Sequence, residues 1–123
     1  MNTIIATVKD IVSLERLNLI KFELNFQEIN VLILEMNIDI SIGKKAELII
    51  KPTAISVINE KCDFENVLKA KVKSVKRGTI LTSLFLDVEG YEIEALTLKK
   101  DFNKEVYIAF KANDIAIVKV FND

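Results

Sequence analysis

The sequence predicts an all-β protein built from two tandem, small, five-stranded β-barrel modules. The chain contains an internal repeat, its apolar residues alternate with polar ones, and no segment shows about ten or more residues of helical periodicity. Half of its residues are hydrophobic, yet its 123 residues include only 3 Gly and 1 Pro, which favours closely packed strands with short turns.

An apolar segment that contains a lysine occurs twice. Residues 46–57, which read Ala-Glu-Leu-Ile-Ile-Lys-Pro-Thr-Ala-Ile-Ser-Val, are echoed by residues 106–117. The two segments align Lys51 with Lys111, and the apolar residues around the lysines match with the same displacement of 60 positions. One strand-like unit is therefore present in two altered copies.

The front of each copy also repeats, now with a displacement of 64 positions, which aligns Asn2 with Asn66. The second copy is therefore four residues shorter. We place the deletion in the loop around residues 35–41, since loop-closure entropy varies slowly with loop length. The repeat predicts one module over residues 1–60 and a second over residues 64–123.

Alternation predicts the strands of each module. In the second copy, Glu89 and Gly90 form the turn of a hairpin between residues 80–88 and 91–98. Pro52 must end the ladder of its strand or lie at the edge of the sheet, because it has no amide hydrogen to donate. Residues 35–42 are expected to form a short turn or a single helical turn. The first module should contain strands at residues 3–12, 17–24, 28–34, 45–51 and 54–58, which together suggest a compact barrel like the oligonucleotide-binding fold.

Composition excludes several classes of function. The chain has no histidine, so histidine-based nucleophilic systems and histidine metal sites are impossible, and we expect no enzyme activity. A net charge of −1 with only two arginines argues against nucleic-acid binding. No apolar run approaches the roughly 18 residues of a membrane helix, and the amino terminus lacks the pattern of a signal peptide, so we expect a cytoplasmic protein without membrane insertion. Cys62 is the single cysteine and is interpreted as a tolerated linker thiol. The apolar fraction exceeds what two small cores need, which predicts a homo-oligomer.

The recurring polar residues are the most informative ones. A lysine at a strand end beside backbone amides can hold a small anion, because an ammonium is a compact point charge and amides add directed donors. Alternatively, Lys51 and Lys111 are solvated edge residues that discourage strand pairing. Both interpretations of the two lysines remain open at the level of the sequence.

The chain resembles a known family in three features. These are the first strand led by asparagine, the hairpin that follows, and the closing segment Ile-Lys-Pro-Thr-Ala-Ile at residues 50–55. All three are similar to the TOBE domain, the molybdate- and tungstate-binding module of the molbindins. Two such units in one short chain resemble the double-module molbindins, and the resemblance covers nearly the whole chain.

The resemblance implies a cytoplasmic store or buffer for molybdate or tungstate, built as an oligomer, with the anion held by lysine, hydroxyl groups and backbone amides. No organic cofactor is implied. Carried over position by position, the expected anion-binding residues are Lys51, Lys111, Asn66, Asn2 and Thr97. Thr97 would serve in the second copy as the hydroxyl after the third strand.

This sequence departs from the family at the opening of the second module, where family members carry Ser-Ala-Arg-Asn. Asp63 and Glu65 replace the serine and the arginine, and carboxylates beside a divalent anion would repel it. An alternative hypothesis is therefore a degenerate TOBE module that no longer binds the anion and docks on a transporter ATPase or a transcription factor. Nucleic-acid binding by the barrel face is the weakest alternative.

Overall fold

The computed structural model describes residues 2–35, 37–98 and 101–122, which form strands and one short 3-10 turn. No helix in these ranges is long and apolar enough to cross a membrane. The strands in chain order are β1 (Asn2–Leu14), β2 (Leu17–Leu24), β3 (Gln27–Leu34), β4 (Lys45–Ile50), β5 (Ser56–Ile58), β6 (Asn66–Arg77), β7 (Thr82–Val88), β8 (Tyr91–Thr97), β9 (Glu105–Phe110) and β10 (Ile115–Val120), and the 3-10 turn is Pro52–Ala54.

The strands form two curled five-stranded sheets, which confirms the all-β prediction. The first sheet has the order β10-β4-β1-β2-β3 and the second β5-β9-β6-β7-β8, and every recorded strand pair is antiparallel. The predicted turn in the second hairpin is also confirmed. Glu89 and Gly90 both have positive φ, 52° and 90°, as a two-residue turn of the primed type requires.

Each sheet takes its fifth strand from the other half of the chain, which differs from the expectation of two consecutive five-strand units. Strand β5 leaves the first half and pairs with β9, whereas β10 returns and pairs with β4. The segment that leads from β4 to β5 contains the 3-10 turn. Lys51 before this turn and Ile55 after it both have extended backbone angles.

The long strands β1 and β6 are bent at equivalent places. Register shifts interrupt β1 between Val8 and Asp10 and β6 between Val72 and Ser74, 64 positions later. A bulge sharpens the local twist of a strand. The residues that pair with β4 or β9 all lie before the bulge, whereas most of those that pair with the following hairpin strand lie after it.

One hydrophobic cluster spans both sheets. The predicted alternation places Ile4, Ala6 and Val8 inside it, and the equivalent residues Leu68 and Ala70 of β6 lie in the same cluster. Burying a side chain of this size contributes about 1.5–3 kcal/mol relative to leaving it in water. The two sheets therefore share a core.

The helical turn considered for residues 35–42 is not seen in the described part of that segment. The other alternative, a short turn, is seen at the end of the segment, where Ile42 and Gly43 form a turn and the Lys44 amide donates to the Ser41 carbonyl at 3.2 Å. Residues 37–41 lie outside helices and strands, and Met36 lies outside the described residues. The predicted length difference between copies falls partly on undescribed positions, because Lys99 and Lys100 in the corresponding loop are also outside the described residues.

Candidate functional site

The two repeated lysines open the same kind of turn. Lys51 directly follows β4, and its carbonyl accepts a hydrogen bond from the Ala54 amide at 3.0 Å. Lys111 directly follows β9, and its carbonyl accepts one from the Asp114 amide at 3.1 Å. Both lysines are exposed. Within the described residues, neither ammonium forms a salt bridge with a carboxylate.

The repeated asparagines join the two halves of the chain. The Asn2 carboxamide accepts from the Glu94 amide and donates to the Glu94 carbonyl, both at 2.8 Å. Asn66 makes the equivalent pair with Asn30, accepting at 2.6 Å and donating at 2.8 Å. Each carboxamide thus acts like a peptide group added to the edge of β8 or β3. Both side chains are buried, and their role as anion ligands stays a prediction.

The strand that ends at Thr97 packs against the turn that follows the first lysine. Strand β8 ends at Thr97, packs against the Pro52–Ala54 turn, and carries Glu94, the partner of Asn2. We therefore consider Thr97 together with Lys51 and Asn2, although Thr97 is in the second copy of the repeat, and its role as an anion ligand stays a prediction. Thr97 is half-buried.

The second group is built the same way from opposite halves. The Ala112 carbonyl, next to Lys111, accepts from the Leu32 amide of β3 at 2.9 Å, and Asn66 is bonded to the same strand. The residue of β3 that corresponds to Thr97 in the repeat is Ile33, so this group has no hydroxyl at that position. Each candidate group thus combines a lysine and an asparagine from one half with a strand edge from the other.

The backbone donor after each lysine differs between the two groups. Pro52 follows Lys51 and has no amide hydrogen, whereas Ala112 follows Lys111 and has one. The Ala112 amide donates to the Glu65 carboxylate at 2.8 Å. Glu65 and Asp63 are exposed, as a charged connector allows. The acidic replacement therefore contacts the amide next to the second lysine.

Sequence reasoning flagged Glu65 as a source of repulsion but missed its bond to Ala112. It also missed Asn30 and Glu94 as partners of the asparagines. Asn30 and Glu94 occupy equivalent positions of the repeat, 64 residues apart. They bond to the two asparagines through backbone groups, so their side chains give no sequence signal for this role.

Two grooves lie away from both lysine turns. One, of about 350 Å³, is lined by Lys69, Lys71 and Tyr107 together with carboxylates that include Asp87 and Glu89. The other, of about 590 Å³, is also lined by side chains of both charges. This mixture of charges gives neither groove a cationic lining for an anion.

Comparisons with known proteins support the fold alone. No protein-family model and no curated protein matches the chain. Among solved structures, the chain is similar to the cytoplasmic molybdate-binding protein ModG in a form with molybdate bound, with a TM-score of 0.83 and 14% sequence identity. The match covers 94% of both chains. Nearly the whole chain therefore has the fold of ModG.

Proposed function

We propose that this protein binds a small tetrahedral oxyanion of the molybdate and tungstate class. The observation that carries the proposal is the repeated placement of a free lysine beside a strand edge of the other half, in a fold like that of a molybdate-binding protein. An exposed ammonium provides charge, and hydroxyl or amide donors near it provide the directed hydrogen bonds that a divalent oxyanion requires.

The first group, around Lys51, has the more suitable donors. Thr53 follows Pro52 in the turn, and Thr97 ends the strand that packs against that turn, so two hydroxyl-bearing residues accompany the lysine. A hydroxyl can donate to an oxyanion without adding charge. We infer that Lys51 and Thr97 contribute most to binding in this group and that Asn2 acts by holding β8 in place.

The finer features of the proposal follow from the resemblance of the sequence to tandem TOBE modules. We propose a cytoplasmic protein that stores or buffers the anion without catalysis or an organic cofactor, and that assembles as a homo-oligomer. Several large apolar side chains at the strand ends support assembly. Leu14, Leu17 and Leu34 are cross-strand neighbours and are all exposed. A cluster of this kind marks an interaction surface.

The test is a thermal melt of the whole chain with molybdate, tungstate or sulfate in separate samples, with the mass in solution recorded in parallel. Ligand at about 100 times its Kd adds about 2.7 kcal/mol of stability, which raises Tm by several degrees in a domain of this size. We expect molybdate and tungstate to raise Tm and sulfate to leave it unchanged. Lys51→Ala should abolish most of the rise.

Lys76→Ala is the matched control, because Lys76 is an exposed lysine near the carboxyl end of β6. It removes the same charge, and we expect it to keep the full rise in Tm. Lys111→Ala reports on the second group. No rise with any of the three anions, from a well-folded protein, would contradict the proposed function.

A second candidate function is a module that has lost the anion and acts by docking. It is favoured by the bond between Glu65 and Ala112, which places a carboxylate beside the second lysine. The resemblance implies a transporter ATPase as the docking partner. This candidate predicts a folded protein whose Tm is unchanged by any of the three anions. Replacing Leu14 and Leu34 by serine should then lower its mass in solution or abolish binding of the partner.

A further inference from the structure

The peptide group next to the second lysine has both of its hydrogen-bonding groups occupied. The Ala112 amide donates to Glu65 Oε1 at 2.8 Å, and the Ala112 carbonyl accepts from the Leu32 amide at 2.9 Å. Ala112 itself is buried. The hydrogen of this amide is therefore already donated to a carboxylate of the same chain and is not available to an approaching anion.

The backbone around Glu65 holds the carboxylate in this place. Its own carbonyl accepts from Asn30 Nδ2 at 2.9 Å, and the next residue, Asn66, is bonded twice to the Asn30 backbone. Three hydrogen bonds thus fix the start of β6 against β3. The Glu65 side chain begins from a fixed point, which lowers the entropic cost of its contact with Ala112.

The first group contains no such contact. Met1 occupies the position 64 residues before Glu65 and has no carboxylate, and Pro52 in place of Ala112 has no amide to cover. The two lysines are therefore related by the repeat but differ in what surrounds them. Among the described residues, only the second lysine has an acidic side chain bonded to the peptide that follows it.

We propose that Glu65 is an internal anion that closes the second oxyanion site. This inference rests on the proposed function and specifies its regulation. A carboxylate oxygen and an oxyanion oxygen both accept the same amide hydrogen, and their like charges repel at short distance. The anion binds first at Lys51, and it reaches Lys111 only where Glu65 leaves the Ala112 amide.

The test compares molybdate binding by calorimetry in the whole wild-type chain and in Glu65→Ala. We expect the wild type to bind at the Lys51 site alone. Glu65→Ala should add a second site, or raise affinity at Lys111 by about tenfold or more, the size expected when one charged hydrogen-bonding competitor is removed. Adding Lys111→Ala should remove this gain. Glu60→Ala is the control, because it deletes an exposed carboxylate of the same connector.

A second measurement needs no anion. Hydrogen exchange of the Ala112 amide should accelerate about tenfold or more in Glu65→Ala, because the acceptor that Glu65 provides is lost, and should stay unchanged in Glu60→Ala. Unchanged protection in Glu65→Ala would overturn the proposal. Equal stoichiometry and affinity in wild type and Glu65→Ala would also overturn it while leaving the proposed function intact. If neither protein binds molybdate, the proposed function and this inference fail together.

Discussion

Asn2 and Asn66 show how single side chains hold the two halves together. A carboxamide offers one acceptor and two donors in the spacing of a peptide group, so it can pair with an edge strand as another strand would. Asn66 satisfies both the amide and the carbonyl of Asn30, and Asn2 does the same for Glu94. The strand edges are thereby covered at two equivalent points.

Asn66→Ala should lower the free energy of unfolding by about 2–3 kcal/mol, because it leaves a partly buried amide and carbonyl of Asn30 without their partner. The measurement is urea unfolding of the variant and the wild type. Asn37→Ala is the control, since Asn37 is exposed, and its effect should stay within about 0.5 kcal/mol. Equal stability of Asn66→Ala and wild type would show that solvent replaces these bonds at no cost.

Strand positions were predictable from the sequence because alternation is a local signal. The pattern around Ile4, Ala6 and Val8 identified the buried face of β1. The Glu89–Gly90 pair identified the turn between β7 and β8, because glycine permits a positive φ. The destinations of β5 and β10 were not predictable in this way. A strand of three or six residues fits either sheet, and its choice depends on the direction in which the preceding turn sends the chain.

The candidate site was likewise predictable from the sequence only in part. Lys51 and Lys111 were identified from the repeat, and both stand at the same point of the fold. The packing of β8, the strand that ends at Thr97, against the first lysine's turn joins opposite halves of the chain, so an alignment of the two copies could not predict it. The bond from Ala112 to Glu65 likewise spans 47 positions and has no local pattern.

The exchange of fifth strands can be tested by a cross-link between β4 and β10. Ile49 and Ala116 are opposite each other in the ladder, and directly opposed residues of antiparallel strands have Cα atoms about 4.5–5.5 Å apart, within disulfide range. In a Cys62→Ser background, Ile49→Cys with Ala116→Cys should form an intrachain disulfide on mild oxidation, detected by mass spectrometry after digestion.

The control pairs Ile49→Cys with Ser56→Cys in the same background. Ser56 is opposite Ala109 in the other sheet, so this pair should stay reduced. A disulfide in the control pair, without one between positions 49 and 116, would place β5 next to β4 and contradict the exchange.

At the scale of the whole molecule, the exchanged strands and the shared core make one cooperative unit. Each sheet contains a strand from the other half, and the buried residues of both sheets form a single cluster. A module of about 60 residues buries too little surface to be more than marginally stable alone. Unfolding of either sheet would expose the other's core and remove its edge strand, so the two should unfold together.

This cooperativity can be measured with two equivalent core variants, Ile4→Ala in β1 and Leu68→Ala in β6. Each residue is almost fully buried, so each variant should lose about 2–5 kcal/mol of stability through lost burial and a new cavity. Hydrogen exchange at Ile20 and Leu84 reports on the two sheets separately. Because the sheets share one core, each variant should lower protection at both amides by the same factor. Leu98→Ala, at an exposed position, should change neither. Loss of protection confined to the sheet that carries the substitution would mean that the halves unfold independently, despite their exchanged strands.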